Sequence, residues 1–335
     1  MFNKKPKFFY KKTFFSTLLI PFSWIYFICF CFSTFRLFKP KKVCKKTICV
    51  GNIVVGGSGK TPISIALYEV FSKYYNNCCF ITKGYGRKTE KPLVIPYQHN
   101  ALFNTQETGD EAILLSQYGD VFIVNERKKA NCKKYDLAIC DDGYFDNSIH
   151  KDCKIAVFDG NFFIGNGRIL PAGPLRSWMK SLRSADFIII TDVSEELYKQ
   201  IDRLEKIKNI PNDKILFAKL AVKSHHDLSK TYFAFSGIGE NTKFLKNMQK
   251  YGINPVKFIE FEDHMNYNQK ILDKITKEFQ ASKADKIITT SKDFVKLPQE
   301  FCLKNNVEIF EITYQIDKIE KIVSFVKEKY CETNN

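Results

Sequence analysis

The chain lacks the cysteine and histidine patterns that bind zinc. Its 11 cysteines include no CxxC pair and no Cys/His cluster at zinc spacing, and its five histidines form no HExxH motif. The cysteines lie largely within apolar segments such as residues 137–140, which is typical of buried thiols in a reducing compartment. These absences argue against a zinc hydrolase. The sequence also shows no internal repeat and no long low-complexity tract.

Acidic residues are scarce relative to basic ones, with 36 Asp and Glu against 52 Lys and Arg, which gives a formal net charge of +16. Such an excess is found in proteins that bind nucleic acid or anionic lipid. The densest basic clusters flank a single apolar run, Phe14 to Phe35, and are not interleaved with aromatic residues on one domain. We therefore expect a lipid surface and no nucleic-acid partner. The flanking residues are Lys4, Lys5, Lys7, Lys11 and Lys12 before the run, and Arg36, Lys39, Lys41, Lys42, Lys45 and Lys46 after it.

The apolar run contains no charged residue. As a helix it would be roughly 33 Å long, enough to cross the hydrocarbon core of a bilayer. Trp24 and Tyr26 supply interfacial aromatic rings. We expect residues 1–38 to form a basic flank and a membrane helix, and no cleavage site follows that would indicate a signal peptide. Pro21 and similar cation counts on both flanks leave open whether the helix spans the bilayer or lies along its inner leaflet.

Residues 50–62 carry the most informative motif, an apolar strand that leads into a glycine turn ending in Lys-Thr-Pro. Glycines let backbone N–H groups converge on phosphate oxygens, a lysine reaches the terminal phosphates, and a threonine hydroxyl can bind Mg²⁺. Val54 stands where the usual pattern has its first glycine, and a glycine turn before an ordinary amphipathic helix is the alternative. We predict a nucleoside triphosphate site and a helix from Pro62 onward. The predicted nucleotide-binding residues are Val54, Val55, Gly56, Gly57, Ser58, Gly59, Lys60 and Thr61.

Several further apolar segments predict buried strands in one largely parallel sheet with helices between them. These segments are 78–82, 121–124, 136–140, 154–158 and 187–190. We expect a P-loop NTPase-like α/β domain over residues 39–220. A new strand and glycine turn at Tyr232–Gly239 indicates a second, smaller α/β domain, which we place at residues 221–335.

The strand at 136–140 ends in Asp141 and Asp142. An apolar strand ending in aspartate is the usual metal partner of a phosphate loop. A solvated turn can also carry two carboxylates, but beside a nucleotide loop such oxygens suit Mg²⁺. We assign the metal to Thr61 together with Asp141 and Asp142.

Two loops combine arginine with glycine or proline. Gly84-Tyr85-Gly86-Arg87 follows the strand at 78–82, and residues 166–176 contain Arg168 and Arg176. Guanidinium groups on a stiff backbone favour anion binding. The alternatives are a plain turn for the first loop and a proline-stiffened surface connection for the second.

Composition alone gives Asp110 and His264 no special role. Thr108 and Glu111 predict a capping box at the start of a helix, where Asp110 complements the helix dipole. His264 follows Asp263 in an expected turn, and a lone histidine there usually has no function.

In their order along the chain, these motifs resemble one family, the tetraacyldisaccharide 4'-kinases, which are the lipid A 4'-kinases of Gram-negative bacteria. The resemblance covers nearly the whole chain and depends on the collinearity of the motifs, since no single one is decisive. The motifs lie at 50–52, 55–62, 84–87, 108–112, 141–143, 166–176, 235–239, 263–264 and 289–290.

This resemblance implies an enzyme that transfers the γ-phosphate of ATP to the 4'-hydroxyl of the tetraacyldisaccharide 1-phosphate precursor of lipid A. It implies that Lys60 and the glycine backbone hold the β- and γ-phosphates, and that Asp110 deprotonates the sugar hydroxyl with the aid of His264. The candidates for binding phosphate oxygens of ATP or substrate are Arg87, Arg168 and Arg176. The implied location is the bacterial inner membrane, with the catalytic domains on the cytoplasmic side and the second domain closing over the first.

The chain departs from the family pattern at several positions, which concern acceptor binding more than ATP binding. The family usually has Leu-Gln-His where Tyr144-Phe145-Asp146 stand, Ser-Arg at Thr82-Lys83, Glu-Pro at Ser177-Trp178, and Glu at Ser291.

Two other hypotheses are open. A membrane-associated P-loop ATPase of the partitioning kind would carry a lysine where Val55 precedes the glycine pair. A degenerate family member could bind nucleotide or lipid as a scaffold, although the retained site residues argue against it.

Overall fold

Nine strands form the larger of two β-sheets in the computed structural model, which describes residues 6–34, 39–99, 103–193 and 211–331. The strands of both sheets, numbered along the chain, are β1 (Lys46–Gly51), β2 (Cys78–Thr82), β3 (Leu93–Ile95), β4 (Asp120–Ile123), β5 (Leu137–Cys140), β6 (Cys153–Asp159), β7 (Phe187–Thr191), β8 (Ile215–Val222), β9 (Tyr232–Ser236), β10 (Lys257–Glu260), β11 (Lys286–Thr290), β12 (Val307–Phe310) and β13 (Ile312–Ile316). The helices are α1 (Phe14–Leu18), α2 (Ile20–Thr34), α3 (Lys60–Phe71), α4 (Thr105–Thr108), α5 (Asp110–Ser116), α6 (Asn241–Lys250), α7 (Gln269–Ser282), α8 (Ser291–Phe294), α9 (Gln299–Lys304) and α10 (Ile319–Cys331).

The large sheet has the strand order β13-β8-β7-β6-β1-β5-β2-β4-β3. Its inner strands are parallel, and only the two edge strands, β3 and β13, pair antiparallel with their neighbours. The central strands are buried along their whole length, because apolar residues cover both faces of a parallel sheet. The predicted largely parallel sheet is confirmed. Its carboxyl edge brings the ends of β1, β5 and β6 side by side, which is where such sheets bind ligands.

The small sheet has four parallel strands in the order β10-β9-β11-β12. Apolar clusters cover both of its faces. Phe235, Leu272 and Ile275 belong to one cluster, and Phe244 and Met248 belong to the other. The small sheet thus has its own apolar core, as expected for a second α/β unit, and Val222 and Ile312 of the large sheet pack against the cluster of Phe244 and Met248.

The chain returns to the large sheet at its carboxyl end. Strand β13 pairs with β8, and Ile322, Val323 and Val326 of α10 lie in the core of the large sheet. The sheets therefore divide the chain differently from the boundary drawn at residue 221, because residues 312–331 belong with the nucleotide-binding sheet. An antiparallel strand at this position covers the open edge of β8, which would otherwise be exposed for pairing.

The apolar run near the amino end forms two helices. Helix α1 ends at Leu18 and α2 begins at Ile20, while residues 35–38 of the predicted segment lie outside the described part of the chain. Pro21 fits the first turn of α2, where its missing N–H costs nothing. Within the described residues, no helix has the length and apolar character needed to cross a membrane. The single membrane helix predicted from this run is therefore not found.

Helix α2 packs one side against the large sheet's loops. The Ser23 hydroxyl donates to the Ile169 carbonyl at 2.8 Å. The Trp24 and Trp178 rings lie 5.9 Å apart, and the Phe30 and Phe145 rings lie 5.0 Å apart. The other side carries large apolar side chains that are more than half exposed: Phe22, Ile25, Ile28 and Phe32.

Candidate active site

The phosphate loop joins β1 to α3, in the predicted order of strand, loop and helix. Gly59 adopts φ of 77°, a left-handed conformation that suits glycine, and α3 begins at the next residue. The Asn52 side-chain amide donates to the Ser58 hydroxyl at 2.7 Å, which ties the two ends of the loop together. The loop is thus held in shape by its own residues.

A second contact explains the departure at Val54. This residue is buried and forms an antiparallel bridge with Leu175, and the Val55 N–H donates to the Pro174 carbonyl at 2.9 Å. The start of the loop behaves as a short strand packed on the segment 166–176. An apolar side chain therefore fits at Val54, where other phosphate loops have glycine.

Asp141 lies at the carboxyl end of β5, directly beside β1. Its carboxylate accepts hydrogen bonds from the Thr61 hydroxyl at 3.0 Å and the Ser64 hydroxyl at 2.9 Å. Burial, followed by the charge of the nearby Glu111 carboxylate, raises the pKa of Asp141 to about 6. A buried carboxylate beside two hydroxyl groups supplies the oxygen ligands that suit Mg²⁺.

Asp142 occupies the turn after β5, with φ of 49°. Its Oδ1 lies 3.7 Å from the Lys60 ammonium and 3.4 Å from the Arg176 guanidinium. Partial burial raises the pKa of Asp142, but these two cations outweigh it and hold the pKa below its ordinary value. The structure thus places Lys60, Arg176 and both aspartates in one cluster of opposite charges at the mouth of the loop.

Arg127 also belongs to this cluster, although the sequence analysis did not select it. Its buried guanidinium donates to the Asp141 carbonyl at 2.6 Å and the Asp142 carbonyl at 3.1 Å, and pairs with Asp146 at 3.3 Å. Arg127 therefore fixes the backbone that carries the predicted metal ligands. The signal available in the sequence was its position just after β4, at the same edge of the parallel sheet.

Asp110 and His264 meet where the two sheets face each other. Asp110 is the first residue of α5 in the large-sheet unit, and His264 lies on the loop after β10 in the small-sheet unit. The His264 Nδ1 and Asp110 Oδ2 atoms are 3.0 Å apart. His264 adopts φ of 60°, in the left-handed region that residues other than glycine rarely occupy.

Two lysines and His264 surround Asp110. Burial raises the pKa of Asp110, but the hydrogen bond from His264 and the charges of Lys296 and Lys292 outweigh burial and lower it. Asp110 is therefore ionised at neutral pH. The next residue, Glu111, lies close enough to Asp141 to influence its pKa, so the Asp110–His264 pair and the charge cluster at the loop are neighbours.

The three predicted phosphate-binding arginines have different surroundings. Arg176 lies in the charge cluster, as described above. The Arg87 guanidinium donates to the Lys91 carbonyl and the Asn125 amide oxygen, and the Arg168 guanidinium donates to the hydroxyls of Ser16 and Thr17 in α1. Arg87 and Arg168 thus bond to other protein groups, Arg168 to residues about 150 positions away on α1, and their role in phosphate binding stays a prediction.

Comparison with known proteins agrees with the motif-based resemblance. The family model described as LpxK, tetraacyldisaccharide-1-P 4'-kinase, matches residues 15–330. The tetraacyldisaccharide 4'-kinases of Rickettsia canadensis and Rickettsia felis are each 34% identical to this chain, over 318 and 321 residues, with 93% of this chain and 93% of each relative covered.

One solved structure is similar along nearly its whole length. The crystal structure of the "apo" form of LpxK from Aquifex aeolicus in complex with ATP has 25% sequence identity to this chain and a TM-score of 0.74. The match covers 94% of this chain and 99% of that one. With the family model and the two relatives matched over the same span, these findings show that the chain belongs to the tetraacyldisaccharide 4'-kinase family.

Proposed function

We propose that this protein transfers the γ-phosphate of ATP to the 4'-hydroxyl of the tetraacyldisaccharide 1-phosphate precursor of lipid A. The observation that carries the proposal is the Asp110–His264 contact of 3.0 Å, formed between the two sheets next to the Lys60–Asp142 cluster. A general base beside a phosphate loop is the arrangement that a hydroxyl-directed phosphotransferase needs.

ATP would bind at the carboxyl edge of the large sheet. The backbone N–H groups from Gly56 to Gly59 would surround its phosphates, and the Lys60 ammonium would leave Asp142 to pair with the β- and γ-phosphates. Arg176 approaches the same carboxylate and would also face the phosphates. Family membership supports this site, because a related structure was determined with ATP.

The residues around Asp141 fit Mg²⁺ through their chemistry, since a hydroxyl from Thr61 already points at the carboxylate. Thr61 and Asp141 would hold the ion, with Asp142 within reach of the same position. When bound, Mg²⁺ would neutralise charge that develops on the phosphate oxygens during transfer. Arg127 would keep both aspartates in place through their backbone carbonyls.

In the transfer step, the acceptor oxygen forms a bond to the γ-phosphorus while the bond from that phosphorus to the β-phosphate oxygen breaks. ADP leaves with the bonding electrons, and the hydroxyl proton passes to Asp110. His264 shares the proton through its 3.0 Å contact, which lets a carboxylate of low pKa act as a base near neutral pH. Base assistance of this kind accelerates transfer roughly 10²–10⁴-fold.

We further propose that α1 and α2 attach the protein to the cytoplasmic face of the bacterial inner membrane. The exposed apolar side chains of α2 face away from the sheets and are preceded by lysines, the combination that favours an anionic membrane surface. Attachment there would place the site next to an acylated acceptor. The two α/β units would enclose ATP and acceptor between them, with His264 in contact with Asp110.

The proposal is tested by measuring ADP release and lipid phosphorylation together in detergent micelles. We expect one ADP for each phosphorylated disaccharide, with ADP release dependent on the disaccharide. ADP release without the lipid would instead indicate a membrane-associated P-loop ATPase. ATP binding with neither product would indicate a scaffold, and Phe145 and Asp146, which replace the family's usual Gln-His, would become the first residues to examine.

A further inference from the structure

A buried lysine that the mechanism above does not use lies beside Asp110. Lys296 follows α8, and its side chain is 4% exposed. Its ammonium nitrogen lies 3.0 Å from Asp293 Oδ1 and 3.7 Å from Asp110 Oδ2, and 5.2 Å from the centre of the Tyr267 ring. A buried ammonium group is retained where carboxylates compensate its charge. Here one of the two compensating carboxylates is the proposed base.

Asp293 fixes the position of this lysine. It is fully buried and accepts hydrogen bonds from the Gly237 N–H at 2.9 Å, the Tyr267 hydroxyl at 2.9 Å and the Thr290 hydroxyl at 2.7 Å. Burial, followed by the charge of Asp293, raises the pKa of Tyr267, so its hydroxyl stays protonated as a donor. With its carboxylate held by three donors, Asp293 holds Lys296 at a fixed place in the small-sheet unit.

Lys296 acts on Asp110 through its charge. Among the described residues, its ammonium group makes no well-directed hydrogen bond, even though Asp293 Oδ1 is only 3.0 Å away. A compact charge at fixed distance still stabilises a nearby carboxylate in a site shielded from water. His264 and Lys296 both approach the same atom, Asp110 Oδ2. No described residue hydrogen-bonds to Asp110 Oδ1.

Two other titratable groups lie near enough to Asp110 to interact with its charge, Lys292 on α8 and the Tyr267 hydroxyl. The Lys292 ammonium lies 3.3 Å from Asp263, whose other oxygen lies 3.8 Å from His264 Nε2. Lys292 thus forms its ion pair with a different carboxylate, that of Asp263. Of the two lysines, Lys296 is the one held against Asp110.

We propose that Lys296 is a positioning residue for the Asp110–His264 pair: it fixes Oδ2 towards the small sheet and leaves Oδ1 to take the proton of the acceptor hydroxyl. This inference rests on the proposed kinase function. Because Lys296 and His264 both come from the small-sheet unit, the base is complete only where that unit meets α5.

The test replaces Lys296 by methionine, which keeps the length and removes the charge. Lys304→Met is the matched control, because Lys304 is an exposed lysine at the end of α9 in the same unit. We expect kcat of Lys296→Met to fall about 10- to 100-fold, with the Kd for Mg-ATP within about twofold of the intact chain. Loss of a cation next to the pair favours its protonated form. The ascending limb of kcat/KM should therefore move to higher pH by roughly one unit.

A second variant and a second readout separate this proposal from its alternatives. Lys296→Gln keeps a polar group for Asp293 and serves if the methionine variant fails to fold. The NMR titration of the His264 ring is independent of activity, and its pKa should rise in either variant. That readout tests Lys296 even if the intact chain transfers no phosphate, which would be a failure of the proposed function. An unchanged His264 titration, or ATP affinity lost in proportion to kcat, would overturn the positioning role.

Discussion

In the proposed reaction, Lys60 contacts the phosphates of ATP and Asp110 contacts the hydroxyl group of the acceptor. Lys60→Ala removes a charge that contacts phosphate, worth about 1.5–3 kcal/mol, so we expect the Kd for Mg-ATP to rise at least tenfold and turnover to fall. Asp110→Ala should leave that Kd within about twofold and lower kcat roughly 10²–10⁴-fold. Calorimetric ATP titration and initial rates measure both quantities. Lys73→Ala, at an exposed position beyond α3, is the control.

An equal loss of nucleotide affinity in the two variants would contradict the assignment of Asp110 as the base. It would place that carboxylate in ATP binding and leave the acceptor hydroxyl without an identified proton acceptor.

Arg127 combines a structural and a functional role. Arg127→Met leaves Asp146 without its buried cation and frees the Asp141 and Asp142 carbonyls, so we expect a loss of about 3 kcal/mol in the free energy of unfolding. Urea denaturation measures this loss. Lys128→Met changes an exposed neighbour and should alter stability by less than about 0.5 kcal/mol. If the two variants were equally stable, Arg127 would not hold the turn.

At the scale of residues, the sequence predicted the site residues that lie together in one local motif. The loop at 54–61 and the pair Asp141–Asp142 follow from the order of strand, turn and helix. The pairing of Asp110 with His264 did not follow from local order, because the two residues are 154 positions apart and only the family resemblance connected them. Arg127 and Lys296 were missed, since the sequence does not show which buried carboxylate or carbonyl an isolated cation will contact; for Arg127 the only available signal was its position after β4.

At the scale of elements, α10 stabilises the nucleotide-binding sheet although it follows the small sheet in the chain. Ile322 is fully buried in the large sheet's core, so Ile322→Ala should lower the free energy of unfolding by about 2–4 kcal/mol. Hydrogen exchange should accelerate in β1 and β5, while Lys321→Ala, at an exposed neighbouring position, should have no such effect. Faster exchange confined to β9 and β11 would contradict this assignment.

Helix α2 should carry much of the membrane attachment. The double substitution Ile25→Asn and Ile28→Asn removes two exposed apolar side chains, each worth about 1.5–3 kcal/mol when buried. We expect at least tenfold weaker sedimentation with anionic vesicles and unchanged ATP affinity. Leu303→Asn, at an exposed apolar position on α9, is the control for surface hydrophobicity. Equal vesicle binding by the double variant and the intact chain would exclude α2 as the attachment surface.

Element types were easier to predict than element partners. Apolar strands and the helix after the phosphate loop are local properties of sequence, and the structure contains them. The return of β13 and α10 to the large sheet depends on which sheet edge is open, which periodicity does not encode. The apolar run at 14–35 has the composition of one membrane helix, yet its chain divides at Leu19 between α1 and α2.

At the scale of the whole molecule, the two sheets contact each other on both sides of the phosphate loop. On one side, His264 reaches Asp110. On the other, the Lys243 ammonium of α6 lies 3.0 Å from Asp192 after β7 and also pairs with Asp159 at the end of β6. The two α/β units are thus joined by polar contacts at two points, and one of these contacts includes the proposed base.

The most direct test of the central claim is transfer of radiolabelled γ-phosphate from ATP to tetraacyldisaccharide 1-phosphate in detergent micelles, comparing the intact chain with Asp110→Ala. We predict magnesium-dependent labelling of the lipid by the intact chain and a strong reduction in the variant. An unlabelled lipid, in a preparation shown to bind ATP, would contradict the kinase assignment.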